Sequence, residues 1–222
     1  DAVTLASGDA SGVNFISGSA AVTVSDGRLA ISNGPAAVQN KISYVDITPL
    51  SAPAGGTELP PGVPNTFLIN FQPAASAVPE GYLADISEVF GDRGNGHSYG
   101  WTTAFDLTRE RNADADQRLD TLNHTQADGA DRVWEIELAN GDYRVSLTGG
   151  DPNNDDSFIE FVAEAGTANA VTLTSGDAAG VNFVSGTEIV TVSDGRLTIS
   201  NGPNAVNNKI SYMNIVSISV MD

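Results

Sequence analysis

A 46-residue stretch occurs twice without a gap: Ala2 to Ile47 matches Ala170 to Ile215 at a constant offset of 168, with 35 of the 46 positions identical. VTLASGDASGVNF returns as VTLTSGDAAGVNF, VTVSDGRLAISNGP as VTVSDGRLTISNGP, and NKISYVDI as NKISYMNI. Copies this close mark tandem modules in an array. Residues 1–50 then read as the C-terminal part of a preceding repeat, and residues 64–222 as one complete module. From Ser51 to Pro64 the chain holds four Pro and three Gly with little apolar content, the composition of a semi-stiff connector. The linker is set at residues 51–63. Repetition of this kind favours binding, display or spacing over chemistry.

Charge excludes whole classes of partner. The net charge is −18, with 28 acidic residues against 8 Arg and 2 Lys, so the phosphates of nucleic acid or of an anionic membrane are repelled. Two readings of the acid excess stand together: solvation in a salty medium that screens self-repulsion, and divalent-cation binding at one or two loops. The chain has no Cys, hence neither disulfides nor thiolate metal sites. No apolar run reaches the 18 residues of a membrane span, so no membrane insertion is expected.

Strand signals dominate the module. WEIELANGDYRVSL alternates on both sides of Asn140-Gly141, which predicts a hairpin with Leu138 opposite Tyr143, Ile136 opposite Val145 and Trp134 opposite Leu147 on one core face. VTVSDGRLTI predicts a second hairpin turning at Asp194-Gly195, with Val190, Val192, Leu197 and Ile199 on one face. The first copy repeats that face as Val22, Val24, Leu29 and Ile31. Further strands are expected at 67–72, 158–162, 181–184 and 209–220, the last with a bulge or bend between Tyr212 and Met213. Residues 108–130 would hold a short helix or only loops. Eight to ten short strands with Gly- and Asp-rich turns predict an all-β sandwich.

Three segments could carry chemistry. Residues 82–101, YLADISEVFGDRGNGHSYGW, gather Tyr82, Phe90, Tyr99, Trp101 and His97, whose flat faces and polar tips suit the C–H face and hydroxyl rim of a sugar. The same rings could instead plug the end of the sandwich. Arg109, Arg111, Asp116 and Arg118 in the next segment would either clamp sugar hydroxyls or lock one another. In GGDPNNDDS, Asp151, Asn153, Asp155 and Asp156 offer closely spaced oxygens that a Ca2+ ion could use, though without the spacing of an EF-hand loop, and an acidic turn needs the same residues. No GxSxG, HExxH or phosphate loop occurs, and the two His are His97 and His124, so no enzyme is expected.

FLINFQPA, GNGHSYGW, DQRLDTLNH and WEIELANGDYRVSLTGGDP, in that order, resemble the malectin-like branch of the galactose-binding-domain sandwiches, and the repeated segment is similar to that branch's last strands. The resemblance covers residues 66–218 once and 1–48 as a partial copy. It implies a jelly-roll β-sandwich, and a carbohydrate site at one end carried by Tyr82, Tyr99 and Trp101, with Arg93 and His97 as polar neighbours. The expected function is a non-catalytic carbohydrate-binding repeat of a long, secreted or cell-surface, bacterial-type extracellular protein. Its partners would be a polysaccharide or surface glycan and adjacent copies of the repeat. The alternative is a structural repeat of an adhesin stalk or filament, assembled through strand complementation by residues 1–50.

Overall fold

The computed structural model describes Val22 and residues 29–37, 65–126 and 129–218, and it divides into two compact units, residues 1–50 and 51–222. The linker at 51–63 and the turn of the first copy's expected hairpin, residues 23–28, lie outside the described residues. In the first unit a turn is closed by Ala37 N–H donating to the Gly34 carbonyl at 3.1 Å. Val22, Leu29 and Ile31 are each 38–40 % exposed there.

The second unit is a jelly-roll β-sandwich. Its strands are β1 (Thr66–Phe71), β2 (Leu83–Asp85), β3 (Gly91–Asp92), β4 (Ser98–Trp101), β5 (Thr108–Glu110), β6 (Thr121–His124), β7 (Trp134–Glu137) and β8 (Gly141–Gly150), followed by β9 (Phe158–Ala163), β10 (Val171–Asp177), β11 (Phe183–Val192), β12 (Arg196–Asn201), β13 (Lys209–Ile210) and β14 (Tyr212–Ser217). A single turn of helix, α1 (Gln117–Asp120), is capped by Asp116. One sheet runs β11-β8-β14-β1-β2 and the other β10-β9-β12-β7-β4-β3, with a small sheet β13-β6-β5 beside them. All ladders are antiparallel except β1 with β2.

Neither expected hairpin forms. β7 pairs with β12 and β4 in one sheet, while β8 pairs with β11 and β14 in the other. Asn140-Gly141 and Asp194-Gly195 therefore sit on arches that carry the chain from sheet to sheet. The two arches stack, with Leu138 N–H donating to the Gly195 carbonyl at 3.0 Å and Gly195 N–H to Asn140 Oδ1 at 2.8 Å. The phase of alternation is as expected: Trp134, Ile136, Leu138, Tyr143, Val145, Leu147, Val190, Val192, Leu197 and Ile199 are all buried. They meet across the core instead of side by side. A positive φ is found at Gly141 and Gly195 but at neither Asn140 nor Asp194, which a type I′ hairpin turn would require.

Two other expectations shift. The strands expected at 181–184 and 190–192 merge into one ten-residue β11, which passes so close to β10 at Gly186 that a Cβ there would collide with the Leu173 carbonyl. The bend expected between Tyr212 and Met213 falls at Ser211, between β13 and β14.

One buried carboxylate joins the two sheets. Asp85, at the end of β2, accepts from Trp101 Nε1 at 2.7 Å and Trp134 Nε1 at 2.8 Å, both from the opposite sheet. Ser87 N–H at 3.0 Å and Asn123 Nδ2 at 3.3 Å complete the shell. Phe71 meets the two indoles edge-on, at 5.9 and 5.7 Å between centroids. Burial pushes the Asp85 carboxyl up, and the indole and Ser87 donors pull it back. Each neighbour is a donor, so the shell fits the ionised form. Replacing Asp85 with Ala leaves two buried indole N–H groups without acceptors, at about 1–3 kcal/mol each. Urea unfolding of Asp85→Ala is expected to show a loss of at least about 2 kcal/mol; a loss below about 1 kcal/mol would show that the bolt is not structural.

Candidate functional site

The aromatic set expected to hold a sugar does not form one surface. Tyr99 and Trp101, spaced by two on β4, share the core face and are 3 % and 1 % exposed. Trp101 packs edge-on to Phe71 and to Phe105, and Tyr99 donates its hydroxyl to the Ala84 carbonyl at 2.9 Å. An enclosed ring cannot stack on a sugar, so the binding role expected of these two residues is corrected to a core role. Strand alternation in SYGW carries that signal.

Arg93 and His97 stay near Tyr99. Arg93 spans the Glu88 carboxylate at 2.9 Å and the Val89 carbonyl at 2.6 Å, and its guanidinium lies 5.3 Å from the Tyr99 ring centroid. It braces its own loop. His97 is half-buried and meets Phe67 edge-on at 5.2 Å, and burial lowers its pKa. Tyr82 belongs to a different cluster. Its hydroxyl donates to Asn214 Oδ1 at 3.0 Å and accepts from Arg118 Nη1 at 3.3 Å, and its ring meets Tyr212 at 6.3 Å. Arg118 lies over both rings, 5.9 Å from Tyr82 and 5.0 Å from Tyr212, and is itself held by Asp116.

The charged loops lock one another. Asp151 is fully buried and accepts two bonds from Arg111, together with Asn153 N–H at 3.0 Å and Asn154 Nδ2 at 3.0 Å. Asp155 takes Gly180 N–H at 2.8 Å, and Asp156 takes the ammonium of the buried Lys209 at 2.7 Å. A Ca2+ ion drawing on Asp151 and Asp156 would meet a guanidinium on one and an ammonium on the other. This donor set does not fit the ion, and among the described residues no three His, Asp or Glu side chains group to hold a metal.

A concave surface lies elsewhere. Thr102, Thr103, Ala104, Phe105, Asp106 and Leu107, leaving the end of β4, face Ala130, Asp131 and Arg132 across a depression of about 470 Å³. Phe105 packs on Trp101 at 4.9 Å between centroids, and the Arg132 guanidinium lies 4.4 Å from the Phe105 ring centroid. Asp131 accepts from Asn201 Nδ2 at 3.2 Å and Gln126 Nε2 at 3.3 Å, both on Oδ1, which leaves Oδ2 as an acceptor. Thr102, Thr103, Ala104 and Asp106 are exposed. Sequence reasoning missed this surface, because its two segments lie far apart in the chain and neither holds a motif.

No protein-family profile matches the chain, and no curated protein does. Solved structures similar to it include the protein YxiM from Bacillus subtilis, 19 % identical with a TM-score of 0.45, over 70 % of this chain and 40 % of that one. The plant receptor-like kinase FER is 15 % identical with a TM-score of 0.47, over 71 % of this chain and 43 % of that one. Xyl-CBM35, in complex with a glucuronic-acid-containing disaccharide, is 14 % identical with a TM-score of 0.33, over 70 % of this chain and 99 % of that one. The chain thus spans less than half the length of YxiM and of FER.

His124, on β6, gives the unit a pH dependence. Burial first, then the nearby charges of Lys209, Arg109 and Arg111, lower its pKa from 6.5 to about 4, with Asp151 opposing. Between these values the unfolded chain binds the proton and the folded chain does not, so stability falls as pH drops from 6.5 toward 4. His97 acts with the same sign, while Asp85 and Glu164, whose pKa values are raised, act with the opposite one. Those contributions cancel when two proteins are subtracted. The melting temperature of the parent chain minus that of His124→Gln should therefore decline on acidification from pH 6.5 to 4.5; a flat difference would contradict the buried neutral imidazole.

Proposed function

We propose that residues 64–222 form a non-catalytic carbohydrate-binding module whose sugar site is the depression between residues 102–107 and 130–132. The supporting observation is its chemistry. Exposed Thr hydroxyls and the Asp106 and Asp131 carboxylates ring a concave floor made by Phe105 under Arg132. Acceptors and hydroxyls at a rim suit sugar hydroxyls, and the part of the Phe105 ring that Arg132 leaves open offers an apolar contact for a sugar C–H. The volume falls within the roughly 300–1,000 Å³ usual for ligand clefts, and an open, shallow site suits a chain ligand better than an enclosed metabolite. The reading includes an extracellular setting; no helix among the described residues is long and apolar enough to cross a membrane. Weak sites on linked copies would gain from high local concentration.

A second reading, a structural repeat of a stalk or filament, draws on the first unit. Val22, Leu29 and Ile31 are 38–40 % exposed, whereas their equivalents Val190, Leu197 and Ile199 are 0–2 % exposed. The two readings are compatible in one protein.

Ala104 is exposed, so Ala104→Trp fills the depression without disturbing the core. On a polysaccharide array this variant should lose at least ten-fold in retention, with a melting temperature within about 2 °C of the parent, about the effect of a 0.5 kcal/mol surface change. Tyr212→Ala, on the separate Tyr82–Arg118 cluster, should retain binding. Loss in Tyr212→Ala with none in Ala104→Trp would move the site to that cluster.

A further inference from the structure

The rim of the depression carries charge of one sign. Asp106 follows Phe105 and Asp131 precedes Arg132, so an acid stands on each of the two segments that make the floor. Both acids are exposed. Among the described residues nothing bonds to the Asp106 carboxylate, and Asp131 takes both of its donors on Oδ1, which leaves Oδ2 open. Cations that could neutralise them are engaged elsewhere: Arg93 with Glu88, Arg111 with Asp151, Arg118 with Asp116, Arg196 with Glu135 and Lys209 with Asp156. Arg132, the basic residue of the lining, is 7 % exposed, lies over the Phe105 ring and donates from Nη1 to the Thr125 carbonyl at 3.4 Å. Its head is covered by protein, while the two carboxylates stand in solvent.

This arrangement sorts sugars by charge. A uronic acid or a sulfated sugar would bring an anion against two carboxylates, within a chain of net charge −18, and is repelled. A neutral sugar offers hydroxyl donors, and each carboxylate gains an ordinary hydrogen bond. A sugar with a free amine offers an ammonium instead, whose bonds to a carboxylate are charge-assisted and roughly twice as strong. Water and salt weaken that gain at an open site, where an exposed ion pair is worth little. The preference for the amine is therefore graded, and it falls as salt is added.

We propose that the depression recognises an amino sugar, a pyranose in which a free amine replaces one hydroxyl, with the ammonium held by Asp106 and Asp131 and a ring C–H against the open part of Phe105. The inference rests on the carbohydrate-binding reading of this site and names the class of sugar. The exposed Thr102 and Thr103 hydroxyls are then left for the remaining sugar hydroxyls. Selectivity for charge comes from the acids. Phe105 and the Thr hydroxyls distinguish a sugar from a basic peptide.

The test is an NMR titration of the full chain, read at the backbone amides of Thr102, Thr103 and Ala104. The probes are soluble oligomers of glucosamine, of N-acetylglucosamine and of galacturonic acid, and a lysine oligomer of the same length. In low salt the glucosamine oligomer should bind at least about three-fold more tightly than the acetylated one, as two exposed charge contacts allow. Galacturonate should bind most weakly. Asp106→Asn combined with Asp131→Asn keeps the Asp131 Oδ1 acceptor and should abolish the preference for the free amine. Ala104→Trp keeps the net charge, fills the depression and should bind none of the oligosaccharides. A glucosamine preference that survives in Ala104→Trp would mean attraction to the acidic surface at large and would overturn the proposal, as would equal shifts of these amides by the lysine oligomer. Equal binding of the free and acetylated amines would overturn it and leave the carbohydrate reading standing. Shifts from none of the oligosaccharides would overturn both.

Discussion

The structure hangs on a carboxylate between two indoles. Asp85 reaches from β2, at the edge of one sheet, to the indole N–H groups of Trp101 and Trp134 on β4 and β7 of the other. Apolar packing between two sheets is non-directional and tolerates sliding. Two charge-assisted hydrogen bonds from one carboxyl do not, because each indole can donate along one line only. The bolt therefore fixes where β4 ends. From that end the chain leaves as residues 102–107, and Phe105 settles on the outer edge of Trp101 with Arg132 above it. The rings of Phe71, Trp101 and Phe105 thus lead from the core to the depression, which is why a surface made of loops has a defined floor.

Alternation proved readable and pairing did not. The expected face-sharing sets around Asn140-Gly141 and Asp194-Gly195 are buried as sets. Period-2 patterning records which face meets the core, and that is the same whether two strands lie side by side or face to face. What separates a hairpin from an arch is the partner of each strand, and β7 and β8 find theirs, β12 and β11, 59–65 and 33–51 residues away. Asp85 was invisible for a related reason. One Asp in LADIS reads as a polar residue near a turn, and only the fold shows that Trp101 and Trp134 converge on it.

The same limit explains the candidate site. A cluster of aromatics in one segment suggested a shared surface, yet Tyr99 and Trp101 point inward, Arg93 braces its loop, and Tyr82 stands with Tyr212 and Arg118. Abundant carboxylates likewise suggested a cation site, and Arg111 and Lys209 turn out to neutralise two of them. Arg111 pairs with the buried Asp151, whereas the buried Asp85, Asp120, Glu160 and Glu164 are held by neutral N–H and hydroxyl donors. The repeat, by contrast, was legible at once. In the second copy, β10 to β14 form no ladders with one another and pair only with earlier strands, so residues 170–217 complete the sandwich and do not form a fold by themselves.

The direct test of this account is hydrogen exchange at the two indole Nε1–H groups, followed by NMR. Both should exchange as slowly as the core amides of β8 and move together when Asp85 is changed to Asn, because one carboxylate holds both. Exchange of either indole through local opening, far faster than those amides, or a response of one indole without the other, would contradict it.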